Sequence, residues 1–176
     1  MSILYESFGS DPYYLGYLVT LDNGINGSGR AQGFTPSVSH NNDFIKLKMS
    51  RVGNPGNINF AITATSVAGT PSGGNLNVGS TSGNTLPTDP ADGEWRQINL
   101  LPSYGLGSGT TYAIVATCPT ADITNFVYIY MDEPSAYSGG VYSYKDILGN
   151  WNIYDGDLGF EEWSLTGGFI PRIFIG

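Results

Sequence analysis

Arg51-Val52-Gly53-Asn54-Pro55-Gly56 decides how this chain folds, because segments of alternating apolar and polar residues flank it on both sides. Before it, Ile45, Leu47 and Met49 alternate with Lys46, Lys48 and Ser50; after it, Ile58, Phe60, Ile62 and Ala64 alternate with Asn57, Asn59, Ala61 and Thr63. Successive side chains of an extended strand point to opposite faces, so each segment has one side to bury and one to wet. Proline fixes φ and glycine accepts conformations closed to other residues, which makes Gly-Asn-Pro-Gly a turn device. The spacing predicts that the two segments form a two-stranded antiparallel unit.

Outward from this turn the pattern repeats. Strands are predicted over 2–8, 13–20, 30–35, 43–52, 57–66, 94–100, 111–118, 125–131, 140–145, 158–165 and 168–175. Helical periodicity is interrupted almost everywhere by 25 glycines and 10 prolines. The long run from Ala68 to Gly93, rich in Gly, Ser, Thr, Asn, Asp and Pro, is expected to cross between sheets, with Asn75–Gly79 as a short edge strand. Gly105-Leu-Gly-Ser-Gly109 lacks the lysine of a phosphate loop and leads into a strand, so it reads as a hairpin turn. The expected fold is all-β, an antiparallel β-sandwich of jelly-roll type with about 8–11 strands. Residues 1–27 contribute N-terminal strands, 28–165 the sandwich, and 166–176 an apolar strand or assembly arm.

Composition narrows the function. At 176 residues the chain fits one domain, able to bury about 70% of its unfolded surface. Charged residues make up 12%, about half the usual share, so Ser, Thr, Asn and Gly must cover the exterior. Net charge is −8 with scattered basic residues, which lacks the electrostatic footprint of a nucleic-acid binder. No apolar run is long enough to span a membrane. Met1–Phe8 has no basic region followed by a long apolar stretch, so the chain is expected to be made without a signal peptide.

Cys118 is the only cysteine and His40 the only histidine. A disulfide, a cysteine-rich zinc site and the usual nucleophile–histidine arrangements are thereby set aside. Cys118 ends an apolar run and reads as a buried inert thiol; His40, in Ser37–Asn42, reads as a loop residue.

Aromatics cluster from Tyr128 to Tyr154. Planar rings on a sheet match the C–H faces of sugars, which makes Tyr142, Tyr144, Trp151 and Tyr154 candidate glycan-binding residues, with strand covering as the plainer reading. Carboxylates occur as Asp132-Glu133, Asp155-Gly-Asp157 and Glu161-Glu162. A glycosidase needs two facing carboxylates, whereas Glu161 and Glu162 point to opposite faces of a strand. No catalytic residue and no enzyme activity are expected. Asp155 and Asp157 offer hard oxygen ligands suited to a structural calcium, joined by Glu6 if the first and last strands pair. Solvated turn aspartates are the simpler account, and no cofactor is assigned.

The segments Ala31–Pro36, Ile45–Gly56, Ala61–Thr65, Trp95–Ile98 and Gly109–Ala116, and the run from Tyr137–Ser143 through Trp151 to Phe160, together resemble a jelly-roll domain. That domain is similar in shape to carbohydrate-binding modules and recurs in phage and prophage structural proteins and in bacterial surface proteins. The resemblance covers about residues 28–163. It implies a non-enzymatic virion component, such as a capsid decoration, head-fibre or tail-associated protein, whose partners are copies of itself and a viral shell or tail protein. Ile3, Leu4, Phe8, Phe169, Ile170, Ile173 and Phe174 are the candidate assembly contacts in the flanks. The alternatives are a carbohydrate-binding or adhesive module on a surface glycan, and the subunit of an extracellular filament.

Overall fold

A computed structural model describes residues 1–9, 17–21, 28–88 and 93–165 of the chain. Among the described residues thirteen antiparallel strands form a continuous sheet that curls over on itself into two layers, a β-sandwich-like, all-β fold. The front layer contains β1 (Ser2–Phe8), β2 (Tyr17–Leu21), β4 (His40–Val52), β7 (Glu94–Leu106), β9 (Phe126–Asp132), β12 (Asp157–Leu158) and β13 (Phe160–Leu165). The back layer contains β3 (Gly29–Phe34), β5 (Asn57–Thr65), β6 (Pro71–Ser82), β8 (Tyr112–Thr117), β10 (Tyr142–Lys145) and β11 (Trp151–Tyr154).

β4 is the axis of the front layer. One of its edges pairs with β7; the other pairs with β13 through Phe44–Leu47 and with β9 through Met49–Val52. β1 lies outside β13, β2 outside β9, and β12 pairs with the end of β9. The back layer runs β11-β10-β3-β8-β5-β6, and β7 joins it at the single pair Val78–Leu101.

The core is made where the two inner faces meet. Ile45, Leu47, Met49, Ile98, Ile129 and Phe160 of the front layer pack against Phe34, Ile58, Phe60, Ile62 and Ile114 of the back. The Phe34 ring stands 6.1 Å from that of Phe160 across the interlayer space. Each such side chain contributes about 1.5–3 kcal/mol relative to exposure.

The alternation around the Gly53–Gly56 turn is therefore right, but the predicted pairing is not. β4 and β5 lie in different layers and share no ladder: β4 pairs with β7, β9 and β13, and β5 with β6 and β8. Opposite phases on two sides of a turn also suit an arch, in which the apolar faces look at each other across the core. Gly53 (φ +61) and Gly56 (φ +84) adopt the left-handed backbone that opens the turn this far. Arg51 fastens it by donating from its backbone N–H to Pro87 O (2.9 Å) and from Nε to Leu86 O (2.8 Å). The turn after β7 is likewise an arch and not a hairpin, since β8 pairs with β3 and β5.

Ala68–Gly93 also differs from the expected crossover. Residues 71–82 are a full strand, β6, paired with β5 along its length and followed by the short 3-10 turn Gly83–Thr85. Its composition misleads because β6 exposes most of its side chains, so little apolar alternation is needed. β11 lies beyond the expected strands, and β7 extends to Leu106. At the N-terminus, β1 and β2 pair into the front layer; residues 166–176 lie outside the described residues.

Gly79 shows how tightly the layers join. A Cβ there would come 2.3 Å from Asn99 O and 2.8 Å from Ile98 Cγ2, so no side chain fits where β6 meets β7. Gly79→Ala is expected to cost about 1–3 kcal/mol in urea unfolding, because a backbone carbonyl cannot move aside cheaply. Gly74→Ala, where a Cβ meets nothing within 4 Å, should change stability by less than about 0.5 kcal/mol.

Candidate functional site

The β10–β11 hairpin carries the candidate glycan residues and divides them. Tyr142 pairs across strands with Tyr154 and with Gln32, and Tyr144 with Asn152 and Arg30, so three of the tyrosines share the inner face. Trp151 pairs with Lys145 and stands on the outer face, its ring edge against Gly29, where a Cβ would come within 3.1 Å. Tyr142 is buried, with its ring edge-on to Tyr154 at 6.1 Å. Burial pushes its phenol up to about 12 despite the opposing pull of the Arg30 guanidinium. The structure brings Tyr142, Tyr144 and Tyr154 together and separates Trp151, so the four do not form one stacking platform.

The polar residues singled out in the sequence are mostly interior fastenings. His40 is not in a loop: it begins β4 and is 7% exposed. Its Nε2 meets Glu162 Oε2 at 2.7 Å, its Nδ1 meets Val38 O at 2.9 Å, and the Tyr5 ring stacks on it at 3.7 Å. Glu162 is fully buried; Asn42 Nδ2 donates to its Oε1 (2.6 Å), and Asn77 Nδ2 donates to Asn42 Oδ1 (3.0 Å). This chain of contacts ties β13 and β4 of the front layer to β6 of the back. Glu161 faces outward beside Lys46 (3.1 Å) and accepts from Trp163 Nε1, so the two adjacent glutamates do point to opposite faces.

Asp157 is likewise not a solvated turn residue. It is fully buried, and its Oδ2 accepts from Ser135 Oγ and from the backbone N–H groups of Ala136 and Tyr137, while Oδ1 accepts from Gln32 Nε2. Asp155 is exposed and accepts from Ser135 N. Glu6, although β1 and β13 do pair, accepts from Ser37 N and from Tyr137 Oη. These carboxylates are met by donors, and no group of three metal-ligating side chains occurs among the described residues. Cys118 is buried, its Sγ 3.4 Å from Pro55 O, and burial raises its thiol pKa.

Of the candidate assembly contacts, Ile3 and Leu4 are exposed (43% and 40%) on β1, and Phe8 packs against the core edge beside Tyr137. Phe169, Ile170, Ile173 and Phe174 lie outside the described residues.

Two surfaces escaped the sequence reading. On the outer face of the front layer, Phe44 and Trp163 stack at 5.6 Å, Lys46 Nζ lies 4.6 Å over Trp163, and Lys48 Nζ lies 4.9 Å over Tyr130. On the outer face of the back layer, Val115, Ala61, Val78 and Leu101 stand side by side across β8, β5, β6 and β7. They floor a concavity of about 800 Å3 rimmed by Asn59, Asn75, Ser80, Asn99 and Thr117. The signal for the groove lay in the small or polar outward positions of β5 and β6, but their alignment depends on a register that no single strand encodes. Comparison with protein-family models and with curated proteins finds no match to this chain.

The buried histidine gives a pH dependence. Burial alone would lower the His40 pKa, but the hydrogen bond and charge of Glu162 outweigh it, helped by Val38 O and Glu6, and the imidazole titrates above its ordinary value of 6.5. A raised folded-state pKa adds stability that is complete below 6.5 and is lost as pH rises through the folded value. Urea unfolding is therefore expected to show stability falling as pH rises above about 6.5, with His40→Gln flattening that slope. Glu162→Ala, which strands the buried His40 and Asn42, is expected to cost about 3 kcal/mol or more.

Proposed function

We propose that the chain is a non-enzymatic structural module of jelly-roll type that acts in a virion or comparable extracellular assembly and joins copies of itself through the β1 edge. One observation carries the reading. β1 ends the strand order of the front layer and has a partner, β13, on one side only among the described residues. Met1, Ile3 and Leu4 are all exposed on this edge strand and the residue before it.

An edge strand presents a row of backbone donors and acceptors to any extended segment of suitable length, and apolar side chains beside it add burial to that pairing. Most solution-facing edges are short, charged or covered; this one combines seven residues with exposed aliphatic side chains. The occupied state of the carboxylates supports a non-enzymatic role. Glu162 and Asp157 are held by buried donors and Glu161 by Lys46 and Trp163, so none of these three is set against another for acid–base work. The low charge content and the resemblance to phage and surface jelly rolls support the proposed setting.

Light scattering on the purified chain tests the reading. The wild type is expected to form multimers of its 18.8 kDa mass, and the double variant Ile3→Lys, Leu4→Lys to become a monomer with an unchanged β circular dichroism spectrum. A wild type that stays monomeric as concentration rises, or a double variant that keeps the wild-type mass, would overturn it.

A further inference from the structure

The groove on the outer face of the back layer lies away from the β1 edge, and its chemistry is of another kind. We infer that it binds a neutral oligosaccharide. The floor from Val115 to Leu101 crosses three strand-to-strand steps, about 14 Å, so the groove runs transverse to the strands. Its volume, about 800 Å3, falls within the range of small-ligand sites, about 300–1,000 Å3.

Among the described residues no charged side chain lines this groove, in a chain of net charge −8. The rim is made of amides and hydroxyls, which both donate and accept and so match the hydroxyl groups of a sugar. Asn59 and Asn75 are exposed, and their side chains make no hydrogen bond to another described residue; Asn99 Oδ1 already accepts from Gln97 Nε2 (2.9 Å). Small apolar side chains below them suit the C–H faces of sugar rings. An acidic glycan would meet the negative field of the chain without a cation in the groove to offset it. Two of the three lysines, Lys46 and Lys48, stand instead on the front layer over aromatic rings.

Titration calorimetry with cellopentaose, xylopentaose, maltopentaose and chitopentaose, with an oligogalacturonate as the acidic comparison, tests the inference. At least one neutral chain is expected to bind. Asn59→Ala with Asn75→Ala should weaken it about tenfold or more. Val78→Trp, placed at a position already 46% exposed, should abolish it by filling the groove without loss of melting temperature, while Trp151→Ala leaves it unchanged. No binding of any neutral chain, binding of the acidic chain alone, or affinity that survives both groove variants would overturn the inference. So would a change in oligomeric mass in Val78→Trp without glycan binding in the wild type, which would make the groove a protein interface.

Discussion

Burial of the inner faces of β4 and β5 against each other is the constraint from which the rest of the structure follows. Ile45, Leu47 and Met49 on one side and Ile58, Phe60 and Ile62 on the other are almost fully removed from water, and together they form the centre of the core. Because the Gly53–Gly56 turn carries the chain from one layer to the other, neither strand satisfies its backbone groups with its neighbour in sequence. Each must find partners far along the chain: β4 takes β7, β9 and β13, and β5 takes β6 and β8. The long-range wiring of the sheet is a consequence of that one arch, since unpaired backbone groups in the interior are costly.

Polar residues then pin the layers in register. Apolar packing is non-directional, and a strand slipped by one residue would turn its buried set outward. The path from His40 through Glu162 and Asn42 to Asn77 links three strands with directional contacts, and Asp157 does the same for Gln32 and the Ser135–Tyr137 segment. Breaking either network would leave buried donors or charge without a partner, so these residues specify the arrangement even where an apolar replacement could match their burial.

What could be read from the sequence was the period of each strand. Ile45 to Ser50 and Asn57 to Ala64 alternate because each has one face on the core, and that alternation placed both strands and the fold class correctly. It is silent about which strand lies beside which. The same two phases describe a hairpin and an arch, and only the geometry at Gly53 and Gly56 separates them. β6 was hidden for a different reason: with most of its side chains exposed, Pro71–Ser82 carries little hydrophobic signal and is held by its ladder with β5. His40 and Asp157 looked like surface residues because a polar residue is usually exposed, and their burial depends on partners more than 120 positions away, Glu162 and Gln32. The groove was illegible because Val115, Ala61, Val78 and Leu101 come from four strands, whereas the aromatic cluster, which was local in sequence, has Tyr142, Tyr144 and Tyr154 on one face of its hairpin and Trp151 on the other.

The molecule that results keeps its chemistry inside and offers two different surfaces outside: an open apolar edge and an uncharged groove. Both depend on β4 and β5 lying face to face. Backbone nuclear Overhauser effects in the isotopically labelled protein test that placement most directly. The account predicts cross-strand contacts of β4 with β7, β9 and β13, for instance between Met49 and Ile129, together with methyl contacts between the β4 and β5 side chains and no backbone ladder between them. A regular series of backbone contacts joining residues 45–50 to 58–64 would contradict it.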